Sequence, residues 1–408
     1  MGTATAVGAP PRAPLTRAQE TAASLGVSAI ALLVVTGETL PVGLIGAVAQ
    51  GLDATVSQIG LTVSWYALVA AASGVPLARL AARFDRRWVL VVCAVVFGVT
   101  QLVAAAAPNL WVFGAARGVA ALTHGVYFAV ATPAVVRLAR PEIQGRVGSR
   151  VAVGGALALV LGTPLGTLLG QAAGWRVAMA AVAVVALGLS LVVARLVPPL
   201  PPPPGSSSRA DAGLVATLRS RPLAVVMALT AVLVAGHFCL FTYVAPFADE
   251  RLGVAGRAFS VLLLVYGTAA VLGSTLAGRL ADRHPVSGLR AGAAVFTTAL
   301  ACLWLAGQLG GRWSGVLALV VWGGTFSLLV VSTALAVLRR ARGPRAETAF
   351  ALHGIVFQLG IVSGSALGSA LHATGALEVV PLVAASAGAV VLALALWGGR
   401  AFRPGAVG

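Results

Sequence analysis

Glu38 stands in an otherwise apolar stretch, TGETLPVGLIGAVAQ from Thr36 to Gln50. In a bilayer, a charge there costs at least about 2.5–3.5 kcal/mol and requires a cavity or a partner. The other ten acids fall in loops or at the ends of apolar runs, and Arg117 is the one arginine inside such a run. Apolar burial favours the neutral acid and a nearby guanidinium favours the carboxylate. A Glu38–Arg117 couple could therefore take up and release a proton. The competing reading is a static ion pair that fixes helix packing. His124 and His237 also lie in apolar runs. A neutral imidazole titrates near physiological pH, so each is a second proton site, a substrate donor or an ordinary interhelical hydrogen-bonder. Tyr66, Tyr127, Phe128, Phe241, Tyr243 and Gln358 could line an amphipathic cavity or simply pack. His284, His353 and His372 lie near expected helix ends or loops and receive no role. Cys93, Cys239 and Cys302 are widely spaced and read as small buried hydrophobes. No HExxH, paired catalytic acids or glycine-rich phosphate loop occurs, so no enzyme, metal or cofactor is expected.

These residues must be positioned by helices in lipid. Of 408 residues, 59% are hydrophobic and 10% charged, and the mean hydropathy is +0.97. That is far more apolar surface than a soluble shell could cover. The long continuous runs argue for helices rather than the alternating strands of a barrel. A span needs about 17–25 apolar residues. Reading forward gives spans near 22–48, 57–81, 88–107, 110–136, 147–171 and 175–197. After a break come spans near 223–247, 259–281, 290–309, 313–338, 348–372 and 377–400. The break, LVPPLPPPPGSSSRADAG, joins a semi-rigid proline run to a flexible Gly/Ser stretch. The expected organisation is a tail (1–21), a six-helix bundle (22–197), a linker (198–222), a second bundle (223–400) and a tail (401–408). The first apolar stretch is too long for a signal-peptide core.

The net charge is +17, and every one of the 28 basic residues is arginine. With both tails cytoplasmic, 23 arginines fall on the inner side and four on the outer, with Arg117 between them. This asymmetry sets orientation by the positive-inside rule and accounts for the charge without nucleic acid. A rise of 1.5 Å per residue places Glu38 roughly 15 Å and Arg117 roughly 10 Å below the outer surface, so the two could meet.

The halves repeat. Gly162, Gly166 and Gly170 in the fifth span match Gly360, Gly364 and Gly368 in the eleventh, and LAAR (80–83) matches LADR (280–283), both about 200 residues apart. Internal repeats of this kind build secondary transporters, with the substrate between the halves. The loops GVPLARLAARFDRRWVL (74–90) and GSTLAGRLADRHP (273–285) resemble the loop signature of the major facilitator superfamily. The second keeps Asp282 and Arg283; the first has Ala82 for the acid and Asp85 displaced, which leaves Arg83, Arg86 and Arg87 as relay or plain anchors. The fifth span, GGALALVLGTPLGTLLGQAAGWR, resembles the Gly-Pro signature of the antiporter branches. Its glycine stripe and Pro164 could form a hinge or seal between the halves, or pack tightly with no role in coupling. TGETLPVGLIGAVAQ, ARGVAALTHGVYFAVATPAVV and GHFCLFTYVAPF resemble the arabinose, chloramphenicol and purine-nucleoside efflux permeases.

The resemblance implies an all-α, twelve-helix transporter of two pseudo-symmetric bundles, with the first and fourth helices beside a central cavity. It implies export of a drug, sugar or nucleoside in exchange for protons from a bacterial inner membrane. The expected partners are the lipid bilayer, a small-molecule substrate and protons, with the chain acting as a monomer. A uniporter or importer of the same architecture is the main rival, followed by a membrane sensor and a membrane enzyme.

Overall fold

The computed structural model describes residues 16–202, 220–341, 344–398 and 402. The N-terminal tail to residue 15, most of the linker, and Arg12, Arg209, Arg219, Arg342, Arg400 and Arg403 lie outside them, as does the side chain of Arg345. Among the described residues there is no strand, and twelve helices are long and apolar enough to cross a bilayer. The first half holds α1 (Arg17–Gly43), α2 (Val56–Ala81), α3 (Arg86–Ala105), α4 (Leu110–Leu138), α5 (Gln144–Ala173) and α6 (Trp175–Leu196). The second holds α7 (Arg221–Phe241), α8 (Gly256–Arg283), α9 (Pro285–Leu309), α10 (Arg312–Arg340), α11 (Pro344–Ala373) and α12 (Val380–Gly398).

Side-chain caps set several boundaries. α1 starts at Arg17, earlier than hydropathy suggests, because Thr16 and Gln19 form a reciprocal capping box. Thr55 and Gln58 do the same for α2, and Asn109 caps α4. Asp85 caps α3 by accepting from the Arg87 N–H at 2.9 Å, which is why its acid stands outside the expected loop pattern. α1 and α7 break at equivalent points, Leu44 and Tyr243, and continue as the short helices Ile45–Gly51 and Val244–Leu252.

The outer surface of the bundle suits lipid. Trp111 (84% exposed) and Trp313 (77%) occupy the second positions of α4 and α10, where interfacial aromatics belong. A soluble surface does not carry so many exposed large hydrophobics. Cys302 is exposed as well, so the expectation of burial holds for Cys93 and Cys239 and fails for Cys302, which points away from the bundle.

The α5 glycine stripe lies elsewhere than expected. Four-residue spacing puts Gly162, Gly166 and Gly170 on one face, and that face meets α1: an added Cβ would strike Thr36, Leu40 and Leu44 in turn. Gly360, Gly364 and Gly368 form the matching seam against Val234, Ala235 and Cys239 of α7. The stripe is thus a seam within each half rather than a seal between halves. α5 reaches the other half through a different face, where Leu159 and Val160 press against Gly267 of α8. Pro164 offers no N–H to the Val160 carbonyl, and the chain just before it, Ala158–Gly162, widens into a π turn.

The halves are joined at the arginine-poor end. Ser57 of α2 bonds His372 of α11 at 3.1 Å, Ser365 donates to the Gly60 carbonyl at 3.0 Å and Ser64 donates to the Val362 carbonyl at 3.2 Å. Ser260 of α8 donates to Gln171 of α5 at 3.0 Å. Along α2, Ile59, Gly60, Val63, Ser64 and Ala67 are buried, whereas none of residues 72–80 is. The helix is covered at the arginine-poor end and uncovered toward the other.

Candidate functional site

Pro41 organises the first site. With no N–H, it cannot bond the carbonyl of Gly37 one turn back, and that carbonyl is left without its helical partner in the membrane interior. Arg117 of α4 supplies the donor. Its guanidinium donates to the Gly37 carbonyl at 2.6 Å and the Glu38 carbonyl at 2.9 Å, and lies 4.5 Å over the Tyr66 ring. Gly37 must be glycine for α1 to come this close to α3, since a Cβ would strike Phe97 and Gln101.

Glu38 and Arg117 therefore meet through the main chain of α1, while the carboxylate goes to a different partner. Both terminal guanidinium nitrogens are held by carbonyls, and Glu38 Oε2 lies 3.4 Å from His124 Nδ1. The same Nδ1 is 3.3 Å from the Tyr66 hydroxyl, and Phe128 flanks the imidazole with ring centres 5.1 Å apart. The expected Glu38–Arg117 carboxylate pair is corrected to a Glu38–His124 pair beside a fixed cation. Arg117 is buried, but the Glu38 and His124 side chains keep 13% and 17% exposure. A proton passed between the Glu38 carboxylate and the His124 imidazole, with the Tyr66 hydroxyl hydrogen-bonded to the same nitrogen, is the chemistry this arrangement can do.

His237 lies in a different setting, an aromatic box. Its ring stacks on Phe326 (3.4 Å, 8° between planes) and lies 4.7 Å from Trp322, 5.1 Å from Phe241 and 5.2 Å from Phe238. Tyr266 closes the box, 5.4 Å from Trp322 and 5.9 Å from Phe241. His237 Nδ1 and Trp322 Nε1 are buried without a hydrogen-bond partner among the described residues, as is Gln358 Nε2. Each such atom costs about 1–3 kcal/mol if left unmade, so unmatched groups of this kind point to a ligand or a second conformation.

Other expected site residues serve packing. Tyr127 is fully buried and donates to the Val27 carbonyl at 2.5 Å, pinning α4 to α1. Tyr243 bonds Ser369 at 2.5 Å, sits against Gly60 and stacks on His372 with ring centres 5.1 Å apart. Both hydroxyls are held by protein, so neither tyrosine faces substrate here. Arg87 donates to the Ala194 carbonyl, and Asp282 pairs with Arg339 at 2.9 Å within its own half, while Arg83 and Arg283 are exposed. Asp85 is the N-cap of α3.

Sequence reading passed over His372, although a signal was present. Ser57, Gly60 and Ser64 share one face of α2, and Ser365, Ser369 and His372 share one face of α11 at i, i+4, i+7. Buried Glu20, paired with Arg140 at 3.4 Å, and buried His353, 3.3 Å from Thr333, were also passed over because both lie near expected helix ends.

A family model for the Major Facilitator Superfamily matches residues 27–365. A chloramphenicol efflux pump of Mycobacterium tuberculosis is 35% identical over 375 residues, 89% of this chain and 88% of that one. A probable sugar efflux transporter of Pasteurella multocida is 30% identical over 335 residues, 82% and 81% of the two chains. Among solved structures, a bacterial homologue of the human lysosomal transporter Spinster, inward-facing and unoccupied, aligns with a TM-score of 0.75 at 16% identity, covering 95% of this chain and 98% of that one. A D-xylose–proton symporter aligns at 0.74 and 15%, covering 94% and 98%. At these identities the two structures speak to fold alone.

Proposed function

The chain belongs to the Major Facilitator Superfamily, and we propose that this membrane transporter exports a small organic molecule in exchange for protons by alternating access between its halves. The halves are residues 22–197 and 223–400, joined by the 198–222 linker. Each chain carries both, so one copy suffices for a passage. The arginine-rich end faces the cytoplasm of a bacterial cell, with both tails on that side. The clasped end is then the outer one, and the state described is ready to load from within.

The Glu38–His124 pair carries the coupling reading. A carboxylate 3.4 Å from an imidazole, partly exposed and in the membrane interior, can hold or release one proton without leaving an isolated charge in lipid. Arg117 cannot swing onto the carboxylate without abandoning the Gly37 carbonyl, so it stays a fixed cation beside the pair. Proton loading from outside and unloading inside would alternate with substrate. The export direction is supported by relatives named as efflux pumps.

Inverted membrane vesicles with an imposed proton gradient test this reading. Wild-type vesicles should accumulate chloramphenicol, L-arabinose or inosine against its gradient, and Glu38→Gln vesicles with equal protein should not. Gradient-driven accumulation by a folded Glu38→Gln protein would rule out coupling at this residue. Accumulation only in right-side-out vesicles would overturn export.

A further inference from the structure

The two halves align by their own landmarks. Glu38 and His237 each stand six residues before the break in α1 or α7. Tyr66 and Tyr266 each precede the repeated LAAR or LADR loop by the same interval. His124 and Phe326 are each the fifteenth residue of α4 and α10, both 29 residues long. The aromatic box of the second half therefore occupies the place of the Glu38–His124–Tyr66 cluster in the first. The repeat brings together the same three helix positions, with the titratable pair replaced by stacked rings.

The box has the features of a recognition site. Its walls are flat and apolar, and two ring nitrogens, His237 Nδ1 and Trp322 Nε1, are buried with no partner among the described residues. Their rings are centred 4.7 Å apart, so a single bound molecule could meet both nitrogens. The His237 face is covered by Phe326 at 3.4 Å, one aromatic ring's thickness. Phe326 and Phe238 are half-buried, unlike His237, Trp322, Phe241 and Tyr266, and of these two only Phe326 lies flat on His237, so it is the wall whose turning uncovers the imidazole face. Turning it frees one flat face of His237, which a planar ring can stack on at the same 3.4 Å and the puckered chair of a saturated sugar cannot match over its whole area.

We propose that this box is the substrate-recognition site and selects a planar aromatic ring with a hydrogen-bonding edge group. The ring takes the place of Phe326 against His237, Trp322 Nε1 donates to an edge acceptor such as a nitro or carbonyl oxygen, and His237 Nδ1 meets a second polar group. The proposal deepens the transport reading by naming the substrate class, and it uses that reading only in assigning the ligand to the passage.

Equilibrium binding to the purified full-length protein tests it, with chloramphenicol and inosine as aromatic probes and L-arabinose as the saturated one. At least one aromatic probe should bind saturably and arabinose should not compete. Trp322→Phe keeps the ring and removes the N–H, and should weaken that binding about tenfold, the effect of one hydrogen bond. His237→Ala should weaken it further. Unchanged binding in both variants, each shown to be folded by size-exclusion profile, overturns the proposal. So does failure of both aromatic probes to bind wild type, or arabinose binding at the same site. Transport by wild type and by Trp322→Phe separates the two readings. Trp322-dependent binding without any proton-driven transport in wild type would sink the exporter and leave the box standing; proton-driven arabinose transport untouched by Trp322→Phe would do the reverse.

Discussion

The junction of α1, α2 and α4 and the junction of α7, α8 and α10 are built on the same repeat and hold opposite chemistries. The first gathers a carboxylate, an imidazole, a phenol and a guanidinium, paired with one another or with main chain except at Arg117 Nε. The second gathers five aromatic rings around a histidine and leaves two ring nitrogens unmatched. The contrast follows from what sits behind each. In α1, Pro41 opens a carbonyl that draws in Arg117, and a buried cation makes a neighbouring carboxylate tolerable. In α7 the first proline after His237 is Pro246, beyond the break, so no main-chain group near His237 is freed for a charge. Leu319 accordingly stands where Arg117 does. On the proposed reading, duplicating one scaffold lets one copy handle protons while the other reads a ring.

The largest effect that could break this contrast is on coupling. Glu38→Gln keeps the shape of the side chain and removes its charge, and should abolish gradient-driven accumulation while leaving substrate counterflow intact. His124→Gln should behave alike if the proton belongs to the pair. Placing the carboxylate on the other side, as Glu38→His with His237→Glu, should not restore coupling, because nothing at Leu319 replaces the fixed cation. Restored coupling would show that the two junctions are interchangeable.

A smaller effect sharpens the role of Pro41. Arg117→Ala removes two charged hydrogen bonds and leaves the Gly37 carbonyl bare, for a loss of about 3 kcal/mol read as thermal stability in detergent. Arg117→Lys should fall between, since an ammonium cannot bridge the two carbonyls as a planar fork does. Pro41→Ala restores an N–H to Gly37, so Arg117→Ala should cost less in that background, with a coupling of about 0.5–3 kcal/mol. Additivity would mean that the proline does not create the Arg117 site.

How much of this was legible in the sequence depends on the kind of signal. The twelve spans were, because hydropathy and arginine placement are local and redundant. So was Glu38, since an acid in an apolar run is expensive wherever the helix points. Its partner was not. Depth along the axis brought Arg117 near Glu38, but the contact is decided by rotation about each helix and by the carbonyl that Pro41 frees. The α5 stripe failed similarly: four-residue spacing shows that a face exists and leaves open which neighbour covers it. The aromatic box comes from α7, α8 and α10 together, and a single chain read in order does not assemble it. His372 was within reach, because Ser365, Ser369 and His372 lie at helical spacing opposite a matching face on α2.

The glycine seams offer a further comparison between the halves. At Gly154 an added Cβ meets the Ser28 carbonyl, and at Gly364 it meets the Ala235 carbonyl. Main chain cannot yield, so Gly154→Ala and Gly364→Ala should each cost about 1–3 kcal/mol. Gly170→Ala meets only the Leu44 side chain and should cost less. Equal costs at all three would mean that the seams are softer than their backbone contacts imply.

The smallest effect concerns the clasp at the arginine-poor end, where the halves meet through neutral hydrogen bonds. His372→Phe keeps the stack on Tyr243 and loses the bond to Ser57, a change of about 1 kcal/mol. That is far from enough to unfold the protein, but it suffices to move a two-state equilibrium several-fold toward opening at that end. A cysteine introduced at Ala67, buried on the same face of α2 one turn behind the clasp, reports the change through its rate of labelling by an impermeant maleimide applied from outside. The rate should rise several-fold in His372→Phe and not in His353→Phe, whose histidine bonds Thr333 within the second half and touches no clasp residue. Equal rates in both variants would show that the clasp does not hold the outer end shut, and would leave the α5–α8 contact at Gly267 as the element that does.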